Sequence, residues 1–333
     1  MQRIDSMTNR PVKSNCQQSF AALAMAFGIA LIGAVRSGAA DAEVGPATPS
    51  TLVRIGIAPG TWGGVNPNDA KAAISTWART IVHQRGIVVD VEAQVYGTTE
   101  AMHAALKARQ VEAVSMLAHQ LMDLEPELQP TEVYLATKNQ SVTERYALLV
   151  HRSAGIDDVP DLAGRKLVIQ ASARTSIATQ WLDTLLARHS LGTATDVLQT
   201  LSKCENPSKA VLQVFFRQAD ACLVTSNVFE LACELNPQLR KELRVLAVSQ
   251  EVIPSLFFFR PGYISNLRDQ LEPAILTLHE TAAGRQVLTV FQSDGMVKQP
   301  RSSLAGTVQM LEEYQRLKRP TGLAAETLTH VRQ

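Results

Sequence analysis

The chain has 333 residues, with 32 Lys+Arg against 31 Asp+Glu and a formal net charge of +1. So even a balance gives no sign of a basic nucleic-acid surface or a polybasic membrane patch. The length exceeds what one hydrophobic core usually holds, so two lobes are expected.

Arg3, Arg10 and Lys13 precede an apolar run over residues 20–35, and Ser37-Gly38-Ala39-Ala40-Asp41-Ala42 follows it. A basic, then apolar, then small-residue order is that of a cleavable export signal, expected over residues 1–42 with cleavage after Ala40 or Ala42. The run is too short and too rich in small residues for a membrane span. The mature chain is therefore expected to be soluble and periplasmic. Cys204, Cys222 and Cys233 remain in it. An odd count in an oxidising compartment leaves at least one free thiol or an intermolecular bridge.

Strand and helix patterns then alternate, which predicts an α/β fold of mainly parallel sheets. A strand over residues 52–58 runs into the loop Pro59-Gly60-Thr61-Trp62-Gly63-Gly64. A helix over 69–85 follows, with Ala73 and Trp77 on one face. Next come a strand over 88–96, a helix over 98–109, a strand over 111–116 and a short helix over 118–124. Strands are expected at 131–137 and Tyr146–His151. A second series begins with a turn at 161–165 and the strand Lys166–Gln170. A helix over 175–188, a strand over 197–201, a helix over 208–217, a strand over 219–225 and a helix over 227–234 follow. The strand Leu243–Val248 leads through Ile253-Pro254 to a strand at 257–259. Helices close the pattern at 265–280, 284–291 and 304–317.

The expected organisation is a first lobe over 43–148, a second over 149–249, and a return to the first over 250–333. In open α/β sheets ligands sit beyond the C-terminal strand ends. Six loops fall there: 60–64, 96–99, 115–119, 171–176, 202–207 and 225–227. Polar or Gly-rich character in each is ordinary turn chemistry, but several loops converging on one cleft make a site. Thr61 lies in the first of them. Thr175 and Ser176 are expected at a helix start, where free backbone N–H groups and partial positive charge attract an anion. Plain N-capping is the competing reading of the same pair.

Catalysis needs an activated group. The chain has no G-x-S-x-G elbow, no H-E-x-x-H, no P-loop and no Cys/His pair that would supply one. Its seven histidines are scattered, so neither a metal site nor a cofactor is expected. The expectation is a binding protein and not an enzyme.

The order of pieces resembles the periplasmic phosphate, phosphite and phosphonate-binding components of ABC importers. These pieces are QVYGTTEAMHAAL around Tyr96, VEAVSML, RYALLVHRSAGI around Tyr146, DLAGRKLVIQ, the Thr175-Ser176 helix start, Ala219-Asp220-Ala221, and Ile253-Pro254. The resemblance implies a type 2 periplasmic-binding fold with the ligand between two lobes. It covers nearly all of the mature chain. The family holds phosphoryl oxygens on a Ser-Thr-Ser-Gly stretch, matched here by Arg174-Thr175-Ser176-Ile177. Arg174 replaces the first hydroxyl, and either clamps an oxyanion or points into solvent. The family's tyrosines near the phosphoryl group match Tyr96 and Tyr146, each either a ligand donor or an interior aromatic with a wet tip.

The departures narrow the ligand. The family's loop histidine is absent from Ser202-Lys203-Cys204-Glu205-Asn206-Pro207, where Asn206 is the expected substitute donor. The two carboxylates that hold an ammonium in aminophosphonate-binding members match Asn227 and Leu256, neither acidic. A compact oxyanion or neutral-tailed phosphonate therefore fits better than 2-aminoethylphosphonate. The implied partner is an ABC permease, with the protein a monomer that binds no nucleic acid. The alternative partner is a membrane histidine kinase, with the protein an arsenite- or arsenate-type sensor near Cys204. An enzyme on a phosphoryl compound is the least favoured reading. Trp62 and Asn66 form either a Gly-rich hinge turn or a cleft wall.

Overall fold

The computed structural model describes residues 51–61, 66–86 and 89–318, all within one compact unit. The expected export signal and Trp62 lie outside the described residues. In chain order the elements are β1 (Thr51–Ile57), α1 (Pro67–Arg85), β2 (Val89–Val95), α2 (Thr99–Lys107), β3 (Ala113–Leu117), α3 (Ala118–Met122), β4 (Glu132–Thr137) and β5 (Tyr146–His151). They continue with β6 (Lys166–Gln170), α4 (Ala178–Arg188), α5 (Ala194–Val197), β7 (Thr200–Cys204), α6 (Pro207–Phe215), β8 (Ala221–Thr225), α7 (Ser226–Leu235), α8 (Gln238–Glu242) and β9 (Leu243–Val248). The last described are β10 (Ser255–Phe259), α9 (Asn266–Leu276), α10 (Ala282–Val290), β11 (Gly295–Pro300) and α11 (Ala305–Lys318).

Two sheets organise them. The first has the order β11-β4-β10-β3-β1-β2 and the second β7-β6-β8-β5-β9. In the first sheet β1, β2, β3 and β4 point one way, while β10 and β11 oppose them. In the second, β6, β7, β8 and β9 point one way and only β5 opposes. The chain leaves the first sheet after β4 and returns to it at β10. These two crossings pair with each other: Glu144 N–H donates to Val252 O at 2.8 Å, and Val252 N–H returns to Glu144 O at 2.9 Å.

The central strands of each sheet are buried on both faces, which is why they read as near-continuous apolar runs. In β5, Tyr146, Leu148 and Val150 face α4 and α11, while Ala147 and Leu149 face α6 and α7. In the first sheet, Val114, Met116, Leu135 and Phe258 face α2 and α3. Val53, Ala113, Tyr134 and Phe259 face α1, α9 and α10. The period-2 alternation of side chains assigns each residue to its layer.

Three differences from the expected elements have local causes. The strand expected at 197–201 begins at Thr200, because Val197 belongs to α5, a single turn entered through Thr193, whose Oγ1 donates to Asp196 Oδ2 at 2.6 Å. β11 was not expected: its sequence GMVKQP is polar and ends in proline. It is an edge strand on β4, where proline is tolerated. The helix expected from Thr175 begins at Ala178, after a 3-10 turn over Ala173–Thr175. The hydroxyls of Ser172 and Thr175 lie 3.1 Å apart, and Ser172 N–H donates to Thr175 Oγ1 at 3.1 Å. These short side-chain bonds hold the backbone in the tighter turn and delay the α-helix.

Candidate functional site

Two cavities among the described residues border the loop 171–176, one on each side. The polar one, about 200 Å3, lies beyond β6 and β7. Gln170, Ala171, Ser172, Thr175, Ser176 and Thr179 line one side, and Lys203 and Glu205 the other. Parallel pairing sets Ile169 opposite Lys203, so β7 brings the Lys203 ammonium alongside the loop that precedes α4. Ser176, in the turn that leads into that helix, and Thr179, in its first turn, both line the cavity. The cavity thus collects hydroxyls, an ammonium and the unpaired N–H groups of a helix N-terminus.

The hydroxyls around it are not equivalent. Thr175 is 5% exposed, and its Oγ1 donates to Gln170 O at 2.6 Å, so its hydrogen is committed to the fold. Ser176 Oγ reaches Pro254 O at 3.3 Å, a longer bond across to the return crossing. No bond of Thr179 Oγ1 to protein is recorded among the described residues.

Arg174 turns away from this cavity. Its guanidinium pairs with Glu144 on the outgoing crossing, and its Nη2 donates to Gln292 O at 3.1 Å and Ser293 Oγ at 3.4 Å. The Glu144 side chain is 3% exposed and that of Arg174 16%, so this pair is interior. Arg174 therefore bridges the β6 loop, the crossing and the segment after α10. Neither reading of Arg174 from sequence anticipated that placement.

The other predicted residues are spread. Tyr146 is fully buried with its ring tilted against that of Trp181, and its hydroxyl donates to Arg174 O at 3.0 Å. Burial pushes its hydroxyl far above the usual phenol range, with Glu144 adding to the effect. Tyr96 packs under α2 against Gly56 and Val111; its hydroxyl is buried without a partner among the described residues. Burial raises its pKa and Arg54 partly offsets the rise. Thr61 is buried, with Oγ1 donating to Ala58 O at 2.8 Å. Asn206 caps α6 by accepting from Lys209 N at 3.0 Å, and Asn227 is exposed in the first turn of α7. Asn66 likewise closes a turn, its Oδ1 accepting from Asn68 N at 2.9 Å. Asp220 accepts from Lys166 N at 2.8 Å at the start of β6. So of the predicted residues the structure brings Thr175 and Ser176 to the polar cavity, with Arg174 beside them. Ser172, Thr179, Lys203 and Glu205 line it without having been expected as site residues. The signal for Thr179 was its three-residue spacing from Ser176 on the helix expected from Thr175.

Cys204, Cys222 and Cys233 are all free. Burial raises the Cys222 thiol far above its usual range, and Cys204 Sγ donates to Asn206 O at 3.3 Å. Among the described residues no group of three or more His, Cys, Asp or Glu could hold a metal. No described helix is long and apolar enough to cross a membrane.

The sequence profile of the ABC transporter phosphonate periplasmic substrate-binding proteins matches residues 65–303. The chain belongs to this family. It is the substrate-binding component of an ABC importer, a periplasmic transport protein and not an enzyme. A binding-protein component of an ABC phosphonate transporter from Pseudomonas aeruginosa has a TM-score of 0.54 and 14% identity, over 83% of this chain and 91% of that one. PhnD1 of Prochlorococcus marinus, solved with methylphosphonate, has a TM-score of 0.53 and 13% identity, over 80% and 99%. XAC2383 of Xanthomonas citri, solved with ATP, has a TM-score of 0.56 and 14% identity, over 80% and 98%. At these identities the likeness carries the type 2 periplasmic-binding fold alone. A search of curated proteins gave no match.

Proposed function

We propose that this binding protein captures a small phosphorus oxyanion, namely phosphate, phosphite or a simple phosphonate, and delivers it to its permease. One observation carries the reading. A polar cavity beyond β6 gathers the hydroxyls of Ser172, Ser176 and Thr179 with the Lys203 ammonium, at the start of an eleven-residue helix. Several hydroxyl and backbone N–H donors can reach the separate oxygens of a tetrahedral oxyanion, with the single ammonium acting as a point charge. Thr175 then acts by shaping the loop, since its hydroxyl is already bonded. Glu205 at the rim opposes a second negative charge, so singly charged forms are favoured over fully ionised ones. A solved relative holds methylphosphonate, which supports the ligand class.

The test is calorimetric titration of the mature protein with phosphate, phosphite, methylphosphonate, 2-aminoethylphosphonate and sulfate. At least one of the first three binds. Ser176→Ala/Thr179→Ala and Lys203→Met each weaken it about tenfold or more, the loss expected for hydrogen bonds to a charged group. Glu205→Gln tightens it. Binding untouched by all of these variants, or no binding at all, overturns the reading.

A further inference from the structure

The second cavity is of opposite character. It lies between the first sheet and the helices that cover it, and measures about 150 Å3. Its floor follows one face of the sheet by alternation: Val53 and Ile55, Ala113 and Ser115, Tyr134 and Ala136, Ser255, Phe257 and Phe259. Its roof is Trp77 of α1, Leu271 and Ile275 of α9, and Val287 and Leu288 of α10. The cause is legible in the residues. Ala113, Ser115, Ala136 and Ser255 are small where neighbouring rows carry Tyr134, Phe257 and Phe259, so the layer is not filled. Thr61, Arg174, Pro254 and Ser293 place one end of the cavity at the crossings between the sheets.

Two features separate this cavity from loose packing. No carboxylate lines it among the described residues, and its Tyr134 hydroxyl already donates to Glu272 at 2.7 Å. Trp77, only 6% exposed, carries a buried Nε1–H with no partner among the described residues. A buried indole N–H ordinarily finds an acceptor, and leaving one unpaired is costly. Apolar cavities of this size stay dry and accept a ring of about six carbons.

We infer that the chamber between the first sheet and α1, α9 and α10 binds a hydrocarbon body of about six carbons carrying one hydrogen-bond acceptor, which Trp77 Nε1–H engages. Small side chains at Ala113, Ala136 and Ser255 set its size, so these residues determine specificity. The hydrocarbon body is either the tail of the transported anion or a separate ligand. The chamber stands independently of the anion reading, because none of its apolar lining belongs to the polar cavity.

Two arms test it. In the first, cyclohexanone and benzene are titrated into the mature protein, followed by thermal shift and calorimetry. Both bind. Trp77→Phe weakens cyclohexanone about fivefold relative to benzene, the size of one net hydrogen bond. That ratio would not move if Trp77 were merely structural. Ala136→Phe, checked for fold by circular dichroism, abolishes both. In the second arm, methyl-, propyl- and hexylphosphonate are compared on the unaltered protein. A gain of about fourfold per added methylene identifies the chamber as the tail site of the transported anion. A flat series with the neutral probes still bound identifies a separate ligand. Neither neutral probe bound and no gain along the series overturns the inference, even where methylphosphonate binds normally. Conversely, neutral binding without any anion binding leaves the chamber standing and removes the oxyanion reading.

Discussion

Arg174 ties the loop after β6 to the outgoing crossing and to the segment after α10. Its charge is interior, and Glu144 is its counter-charge. Removing one member of such a pair strands the other in a poorly solvated place, which costs about 3–5 kcal/mol, whereas replacing both with apolar groups is often neutral. Glu144→Leu is therefore expected to destabilise by about that much, and Glu144→Leu/Arg174→Met to recover most of it. Urea unfolding of the two singles and the double reads the coupling directly. A double mutant as unstable as the sum of the singles would show that the pair is not coupled. His119 supplies a second residue-scale test. Its Nδ1 is buried without a partner among the described residues, and burial depresses its pKa from 6.5, with Asp123 offsetting part of the effect. The unfolded chain then binds the proton more readily than the folded one. Stability from this group is present above about pH 6.5 and falls as pH drops toward the folded pKa. His119→Leu should flatten that part of the profile when urea midpoints are compared between pH 5 and 8. An unchanged slope would place the pH dependence elsewhere. Neither effect was legible in the sequence, because both depend on partners brought from distant segments or on burial that no local pattern encodes.

Elements with strong periodicity were legible, and those decided by side-chain bonds were not. The strands Tyr146–His151, Lys166–Gln170 and Leu243–Val248 stand where the apolar runs put them. α4 does not begin where its pattern suggests, since the Ser172–Thr175 hydroxyl pair imposes a 3-10 turn first. Thr175 and Ser176 do border the polar cavity, while which hydroxyls remain available there follows from the turn. Gly284 shows how tightly one such junction is built. α10 follows a 3-10 turn at Leu278–Glu280, and Thr281 caps it by accepting from Gly284 N at 3.0 Å. A Cβ at Gly284 would lie 2.0 Å from Leu278 O, a backbone atom that cannot swing aside. Gly284→Ala is expected to cost about 3 kcal/mol, at the upper end of overpacking penalties, although alanine favours helix elsewhere. Thermal unfolding against the parent measures it, and a gain in melting temperature would show that the junction relaxes at little cost.

At the scale of the whole molecule, α11 joins the two sheets that the sequence presents as separate lobes. Leu304 and Val308 pack into the core of the first sheet, and Met310 and Leu311 into that of the second. Between them Thr307, 2% exposed, accepts from Ile253 N at 2.7 Å on the return crossing. Arg188 on α4 holds Glu313 with bonds of 2.8 and 2.6 Å. One helix therefore touches both cores and a crossing. Unfolding either core exposes part of this helix, which couples the two and makes a single cooperative transition the expected behaviour. Trp77 reports on the first core and Trp181 on the second. With Trp62 replaced by Phe throughout, single-tryptophan versions should show coincident urea transitions. Met310→Ala/Leu311→Ala removes the grip on the second core alone, at about 2–5 kcal/mol for each deleted side chain. The Trp181 transition should then move to lower urea while that of Trp77 lags behind it. Curves that shift together would mean that the paired crossings at Glu144 and Val252 carry the coupling instead.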